Sequence, residues 1–233
     1  FADLLHELSA NSETIVVAGS YGKSTCTALL AWCLRSANKD PSYFIGEITN
    51  GLERHAHRGK GSTFVLEGDE YPASNWDNRS KFLLYNAKNV LLTSATHDHI
   101  NVFPTHAEYL APFRTLLGSL PAGGLLVVNS REPHAHALAA NLTCPIAFYA
   151  LDDKAHWHAA SIERGAETGF DLMRGGEKII RLSTRMLGDH NQPVIDVPDG
   201  CEQVRPRMHE VKVESQGRWL RGDEHSEGVG TSA

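Results

Sequence analysis

The stretch VVAGSYGKST, residues 16–25, leads from a β-branched run into a turn of small residues that ends in Lys-Ser-Thr. A strand that enters a glycine turn and leaves it as a helix presents backbone N–H groups to phosphate oxygens. The common phosphate loop reads G-x-x-x-x-G-K-[ST]. Here the residue five positions before Gly22 is Val17, and the nearest preceding glycine is Gly19. The order of strand, Gly-Lys-Ser-Thr and helix favours a phosphate site over an incidental glycine turn.

Five short apolar runs along the chain have the composition of buried strands. They are nearly continuous in Val, Ile, Leu and Phe, which is typical of parallel strands covered on both faces. Helices are predicted over 24–37 and 106–118 from three- and four-residue apolar spacing, and Ser130 is placed to cap a third helix. The pattern predicts a doubly wound, mostly parallel α/β sheet. The runs are Thr14–Ala18, Thr63–Glu67, Asn89–Thr93, Leu125–Val128 and Ile146–Tyr149.

The character of the sequence changes from about residue 156. Alternating residues and the Gly175-Gly176 pair predict a small antiparallel sheet appended to the main one. The residues from Asp223 onward are mostly polar and small, and they are predicted to be disordered.

Composition narrows the classes of function. The 233 residues carry a formal net charge of −6, so the basic patch of a nucleic-acid-binding protein is not expected. No apolar run reaches the length of a bilayer span, and no leader is visible. The four cysteines lack C-x-x-C spacing, which indicates reduced thiols rather than a zinc site. These features predict a cytoplasmic protein with one substantial core.

Acidic residues follow the second predicted strand, in TFVLEGDEY at 63–71. The carboxyl edge of a doubly wound sheet is where ligands bind, and Mg²⁺ prefers oxygen ligands. Glu67 at the strand tip is therefore the best candidate for a magnesium ligand. Asp69 and Glu70 are also compatible with ordinary solvated loop acids, and for Glu70 both interpretations stay open.

Two further polar segments bear on the site. The third predicted strand runs into His97, Asp98 and His99. A lone histidine at a strand end is more often structural, but its place at the edge of the phosphate loop favours a cation or phosphate role for His99. The segment MLGDHNQ supplies His190 and Asn191, which without context form a polar turn.

Together these motifs resemble the Mur ligase family. The shorter family loop, G-[ST]-x-G-K-[ST]-[ST], is matched by residues 19–25, which accounts for the unusual glycine spacing. Similarity extends to EGDEY at 67–71, RSKFL at 79–83, DH at 98–99 and LGDHN at 187–191. The set is most similar to the family branch that joins UDP-N-acetylmuramate to L-alanine or to a tripeptide.

The resemblance implies an ATP-dependent amide-bond ligase of peptidoglycan synthesis or recycling, with Mg²⁺ as a cofactor. ATP would phosphorylate a carboxylate of UDP-N-acetylmuramate, and an amino-acid or peptide amine would attack the acyl phosphate. The reaction would depend on Lys23, Glu67 and His99. Its demands are charge neutralisation and alignment rather than covalent help from the protein.

The resemblance also assigns binding roles to individual residues. The nucleotide would contact Gly19, Ser20, Gly22, Lys23, Ser24, Thr25, His190, Asn191 and Arg207. Lys23 would hold the β- and γ-phosphates. Ser24 and Glu67 would bind the first Mg²⁺, and His99 the second. His190 and Asn191 would lie at the adenine, and Arg207 would reach ATP.

This sequence departs from the family pattern in three places. The family motif N-x-E-x-D-H is replaced by SATHDH, with Thr96 in place of the acid, and Pro193 follows soon after Asn191. The family's UDP-sugar domain has no counterpart in these residues. We therefore expect a central ATP-binding domain at 1–191 and a truncated remnant of the C-terminal domain at 192–233.

Three interpretations of the function follow. The chain is a piece or a shortened form of a Mur-type ligase, a different phosphate-loop enzyme such as a small kinase, or an ATP-binding remnant without turnover. A kinase would normally show the longer glycine spacing and an aspartate-based second motif, and neither is evident.

Overall fold

The structure is a computed structural model that describes residues 1–47, 52, 54–151 and 154–184, together with the backbone of strands 211–213 and 218–220. Within these ranges, no helix combines the length and apolar character needed to cross a bilayer. The helices are α1 (Ala2–Ser9), α2 (Lys23–Ser36), α3 (His106–Gly118) and α4 (Pro133–Leu138), with a 3-10 turn at Lys81–Leu84.

The strands, in chain order, are β1 (Glu13–Ala18), β2 (Ser42–Phe44), β3 (Ala56–His57), β4 (Thr63–Glu67), β5 (Pro72–Ser74), β6 (Asp77–Ser80), β7 (Asn89–Leu92), β8 (Leu125–Asn129), β9 (Ile146–Ala150), β10 (Trp157–Glu163), β11 (Thr168–Arg174), β12 (Glu177–Thr184), β13 (Val211–Val213) and β14 (Arg218–Leu220). Twelve of them form one sheet in the order β14-β13-β12-β11-β10-β9-β8-β7-β1-β4-β2-β3, and β5 pairs with β6 separately.

The parallel part of the sheet confirms the five predicted strands to within one residue at each end. β1 lies at its centre, between β4 and β7. Val17 is in register with Glu67 of β4 and with Leu91 of β7. The carboxyl ends of these three strands therefore lie side by side.

Helices cover both faces of the parallel strands, as a doubly wound fold requires. In β1, Val16 and Ala18 belong to the larger core cluster, which also includes residues of α1, α3 and α4. Val17 faces the other way and packs in the cluster formed with α2. Because both faces are buried, neither needs polar residues, and this is why the strands are continuously apolar.

The predicted antiparallel strands are present and continue the same sheet. β10 pairs in parallel with β9, and β11 and β12 then follow as antiparallel neighbours. Gly175 and Gly176 form the connection, with φ of 56° and 86°. Two consecutive residues with positive φ suit a tight hairpin turn, which explains the glycine pair.

Helix α3 starts at a capping box, whereas the predicted cap of α4 is wrong. Thr105 and Glu108 form the complete capping box at the start of α3. Ser130 does not cap α4. That helix begins at Pro133, and the Glu132 side chain accepts from the Ala135 N–H. Proline is favoured in the first turn because its missing N–H is not needed there, and this moves the cap two residues along.

Candidate functional site

The phosphate-type loop joins β1 to α2 and owes its spacing to two glycines. Gly19 has a φ of +142°, and a Cβ there would lie 2.2 Å from Thr93 Oγ1. Gly22 is the N-cap of α2 with a φ of 77° and offers no side-chain cap. The first N–H groups of a helix have no intrahelical partner, so the start of α2 faces the loop with unmatched donors.

Small polar residues after β7 hold the loop in place. The Ser94 hydroxyl oxygen accepts from the backbone N–H groups of Ser20 and Tyr21, each at 3.1 Å. The Ser20 hydroxyl lies 2.8 Å from the Tyr109 hydroxyl. The Ser20 hydroxyl is thus hydrogen-bonded inside the protein and does not face the solvent. The anchoring role of Ser94 was not predicted, although a polar residue directly after a buried strand could have suggested it.

The Lys23 ammonium lies under the loop and is surrounded by acceptors. Nζ donates to the carbonyl oxygen of Gly19 at 2.7 Å, to that of Ser20 at 3.4 Å and to Glu70 Oε1 at 3.1 Å. Only 16% of the side chain is exposed. These contacts turn the lysine side chain back towards the loop, so its charge lies beside the Gly19 and Ser20 carbonyls.

Ser24 and Glu67 form the second element of the site. The Ser24 hydroxyl donates to Glu67 Oε1 at 2.8 Å, and the Gly46 N–H donates to Glu67 Oε2 at 2.7 Å. Burial raises the pKa of Glu67 above its usual value, and the bonds from Gly46 and Ser24 oppose that shift. The carboxylate therefore lies at the end of β4, as predicted, and its hydrogen bonds fix it beside the first turn of α2. Thr25 is the next residue of the same turn and is half-buried.

Glu70 is not a solvated loop acid, and that open interpretation of it is excluded. It is 1% exposed, and Oε1 lies 3.1 Å from Lys23 Nζ and 2.9 Å from His99 Nε2. Among the described residues, no group hydrogen-bonds to its Oε2. Asp69, by contrast, forms a salt bridge with Lys81 and stays half-exposed. The local sequence does not indicate which of the neighbouring acids, Asp69 or Glu70, is buried.

His99 is held in an unusual backbone conformation at the edge of the site. Its φ is +54°, which non-glycine residues adopt infrequently. The Asp98 carboxylate accepts from the His99 N–H. Because the Glu70 carboxylate can only accept, His99 Nε2 must donate, and Nδ1 then accepts from the Tyr71 hydroxyl at 3.0 Å. Strain of this kind persists where surrounding contacts determine it, and it is concentrated at functional sites.

Comparison with known proteins is consistent with this geometry. Residues 17–193 match the Mur ligase middle domain. The chain belongs to this family. The stretch it matches begins in β1 and includes the loop, Glu67, Glu70 and His99.

Individual relatives of the Mur ligase middle domain come from several bacteria. The UDP-N-acetylmuramate–L-alanyl-γ-D-glutamyl-meso-2,6-diaminoheptandioate ligase of Haemophilus influenzae is 29% identical over 178 residues, which are 76% of this chain and 39% of the relative. The UDP-N-acetylmuramate–L-alanine ligase of Sorangium cellulosum is 30% identical over 191 residues, 82% of this chain and 39% of the relative. The chain thus spans about two fifths of the length of these relatives.

A solved structure agrees with the fold of this Mur ligase middle domain. The crystal structure of UDP-N-acetylmuramate:L-alanyl-γ-D-glutamyl-meso-diaminopimelate ligase from Neisseria meningitides superposes with a TM-score of 0.71 at 26% identity. The superposition covers 80% of this chain and 61% of that chain.

In this Mur ligase middle domain, Ser24 and Glu67 are placed to bind a magnesium ion that accompanies a nucleotide. Neighbouring oxygens around an octahedral Mg²⁺ lie about 3 Å apart, and Ser24 Oγ is 2.8 Å from Glu67 Oε1. Within the described ranges, no three His, Cys, Asp or Glu side chains form a metal-binding group.

The other predicted ligands differ in how far the structure describes them. Both nitrogens of His99 are engaged by protein groups, so binding a cation there requires one contact to be released. His190, Asn191 and Arg207 lie outside the described residues.

Proposed function

We propose that this chain is the ATP-binding domain of a Mur-type ligase that joins an amino-acid or peptide amine to UDP-N-acetylmuramate. The observation that carries the proposal is the convergence of Lys23, Ser24 and Glu67 where β1 and β4 end, within hydrogen-bonding distance of the glycine loop. We further propose that residues 1–191 form this domain and that 192–233 begin the C-terminal domain.

Each residue of the loop has a role that its position supports. The N–H groups at the start of α2 would cradle the phosphates, together with the loop backbone at Gly19 and Gly22. Gly19 lets this loop pack closely against Thr93 and Ser94, and Gly22 supplies the positive φ from which α2 starts. Lys23 would neutralise charge on the β- and γ-phosphates. Thr25 would support the phosphates from the same helical turn. The Ser20 side chain would act indirectly by fixing the loop, because it is bonded internally.

The cation-binding groups lie on the β4 side of the loop. Ser24 and Glu67 would hold the first Mg²⁺, and His99 would lie at the second. ATP, when bound with Mg²⁺, supplies the phosphoryl group that activates a carboxylate as an acyl phosphate. The protein's own contribution is to align the phosphates and neutralise their charge.

The remaining assignments come from the resemblance and from the relatives. His190 and Asn191 are proposed to contact the adenine, and Arg207 to reach ATP. The relatives that the chain matches are named for ligation to UDP-N-acetylmuramate, which supports this substrate. ATP and UDP-sugars are cytoplasmic metabolites, so we propose a cytoplasmic location. We propose no nucleic-acid or membrane partner.

The test is calorimetric binding of ATP with Mg²⁺ to the wild-type chain and to Lys23→Ala. We expect the wild type to bind and the variant to lose at least about 10-fold in affinity, since an ion-paired phosphate contact is worth more than 1.4 kcal/mol. Lys88→Ala is the matched control, because Lys88 is an exposed lysine paired with Glu13 at the opposite end of β7. Equal affinities for wild type and Lys23→Ala would contradict the assignment.

The reaction class is tested by product analysis. The chain is incubated with MgATP, UDP-N-acetylmuramate and either L-alanine or the L-alanyl-γ-D-glutamyl-diaminopimelate tripeptide. An amide product that depends on the amine would establish a ligase. A phosphorylated acceptor that forms without any amine and accumulates would establish a kinase instead. We expect little turnover from these 233 residues, because family members bind both co-substrates largely through other domains.

A further inference from the structure

One feature of the site has no role in the assignments above, namely the buried carboxylate of Glu70. A buried charge is costly unless it is paired and hydrogen-bonded. Glu70 is 1% exposed, and its Oε1 accepts from both Lys23 and His99. Oε2 hydrogen-bonds to no group among the described residues. A carboxylate that served only stability would be expected to use both oxygens, so the arrangement calls for another explanation.

The hydrogen bonds of Lys23 indicate what Glu70 does. An ammonium has three N–H donors, and the acceptors here are the Gly19 carbonyl at 2.7 Å, Glu70 at 3.1 Å and the Ser20 carbonyl at 3.4 Å. The Ser20 contact is the longest and the weakest. A phosphate that approaches the loop can replace it while the bonds to Gly19 and Glu70 remain. Those two bonds would then fix where Nζ lies and where its third N–H points.

His99 holds Glu70 from the other side. Its Nε2 donates to the same Oε1, and its own position is fixed by the Tyr71 hydroxyl and by the left-handed backbone. The carboxylate therefore cannot follow a moving lysine. We propose that Glu70 is a positioning residue, which holds the Lys23 ammonium at a fixed place for a phosphate group. This inference rests on the proposed function, since it assumes that Lys23 binds phosphate.

The main test compares Glu70→Ala and Glu70→Gln in ATP affinity. Alanine removes the acceptor and frees Lys23. Glutamine keeps a carbonyl oxygen that can accept from Lys23 and His99, and its NH₂ group takes the place of the unpartnered Oε2. We expect Glu70→Ala to bind ATP about 10-fold more weakly than wild type, and Glu70→Gln to stay within about 3-fold. Equal losses in the two variants, or no loss in Glu70→Ala, would overturn the proposal.

A second comparison separates positioning from damage to the fold. Affinity for AMP, which lacks the β- and γ-phosphates, should change much less than affinity for ATP in Glu70→Ala. Misfolding would instead reduce the number of binding sites for both nucleotides. If Glu70→Ala does not fold, Glu70→Asp replaces it, because its carboxylate is one methylene short of Lys23. Glu70→Asp should then bind ATP more weakly than Glu70→Gln, and the reverse order would overturn the proposal.

Asp69→Asn is the matched control for charge. It removes one negative charge from the residue directly before Glu70. Asp69 is paired with Lys81 rather than with the glycine loop. We expect its ATP affinity to equal that of the wild type. A loss as large as that of Glu70→Ala would overturn the proposal, because loop charge alone would then explain the effect.

A measurement without nucleotide keeps the inference separate from the proposed function. Acetic anhydride labelling, followed by mass spectrometry, reports how freely the Lys23 amine reacts relative to Lys88. We expect the ratio to rise about 3-fold or more in Glu70→Ala, because the ammonium loses its charged partner. An unchanged ratio would overturn the inference even if ATP binds. If the wild type binds no ATP but the ratio rises, the proposed function fails while Glu70 still positions Lys23.

Discussion

Two clusters of charged residues occupy different regions of this sheet, and they differ in how completely the central carboxylate is removed from solvent. In the parallel region, Lys23, Glu70 and His99 meet at one buried carboxylate oxygen. In the antiparallel region, Asp171 accepts from Lys178 at 2.8 Å and from Arg181 at 3.2 Å.

The two clusters differ in how they relate to water. Lys178 is 52% exposed, so its charge stays solvated, although its partner Asp171 is only 13% exposed. Glu70 is 1% exposed, and its partner Lys23 is 16% exposed. Exposed pairs contribute little to stability, and buried ones are expensive to desolvate. Among the described residues, Glu70 carries the larger desolvation cost, which fits the proposed role of its cluster in holding Lys23 for a ligand, whereas the Asp171 cluster joins neighbouring strands.

The two regions also differ in how crowded their positive-φ glycines are. Gly19→Ala, in the parallel region, is the change expected to have the largest effect. A Cβ at Gly19 would lie 2.2 Å from Thr93 Oγ1 and 2.9 Å from the Ser94 nitrogen. We expect a loss of about 3 kcal/mol in the free energy of unfolding, from steric overlap and an unfavourable φ. Urea denaturation followed by circular dichroism measures it.

The matched control lies in the antiparallel region. Gly176 also has a positive φ, 86°, but a Cβ there would have no atom within 4 Å. Gly176→Asn should cost about 1 kcal/mol or less, because asparagine tolerates this conformation. Similar losses for the two variants would remove the distinction between a crowded loop and an open turn.

Glu67→Ala is expected to have the next largest effect, and it acts on binding rather than on stability. The carboxylate faces the Ser24 hydroxyl at 2.8 Å, the pair that fits a magnesium ion. Removing it should abolish the gain in ATP affinity that Mg²⁺ gives, a change of about 10-fold or more. Calorimetric titration with and without Mg²⁺ measures the gain.

Glu13→Ala is the control for this measurement, since Glu13 is exposed at the other end of β1 and pairs only with Lys88 among the contacts described. It should keep the full magnesium effect. A Glu67→Ala chain that still binds ATP more tightly with Mg²⁺ would refute the assignment of Glu67.

The parallel region was largely predictable from sequence because its signals are local. β4 begins at Thr63 and ends at Glu67 as expected, since a strand buried on both faces is a continuous apolar run. The position of Glu67 at the sheet edge was predictable for the same reason, because it is the residue that ends that run. Strands β2 and β3, which extend the sheet beyond β4, were missed. So was the separate hairpin of β5 and β6. Its strands read PAS and DNRS, and neither has an apolar or alternating pattern.

Other features of the site depend on contacts between distant residues, and sequence alone does not give them. Lys23 and Glu70 are 47 positions apart, and Ser20 and Tyr109 are 89 apart. No local pattern distinguishes the buried Glu70 from the half-exposed Asp69 beside it. The left-handed backbone of His99 is equally invisible, because it results from the contacts that hold the residue in the fold.

The smallest expected effect belongs to the Asp171 cluster of the antiparallel region and depends on pH. The Lys178 ammonium, followed by the Arg181 guanidinium, lowers the pKa of Asp171 below its usual 3.8. The ionised carboxylate is thus favoured in the folded state. It stabilises the fold above the unfolded-state pKa, and this stabilisation is lost as pH falls through the folded-state pKa.

Asp171→Asn should therefore be slightly less stable than wild type at pH 7, and the difference should shrink below about pH 5. Thermal unfolding between pH 3 and 7 measures it. Added salt should also reduce this difference in stability, because the exposed Lys178 charge is screened by salt. A difference that persists unchanged at pH 3, or a loss of ATP affinity in Asp171→Asn, would mean that the two clusters are not separate in role.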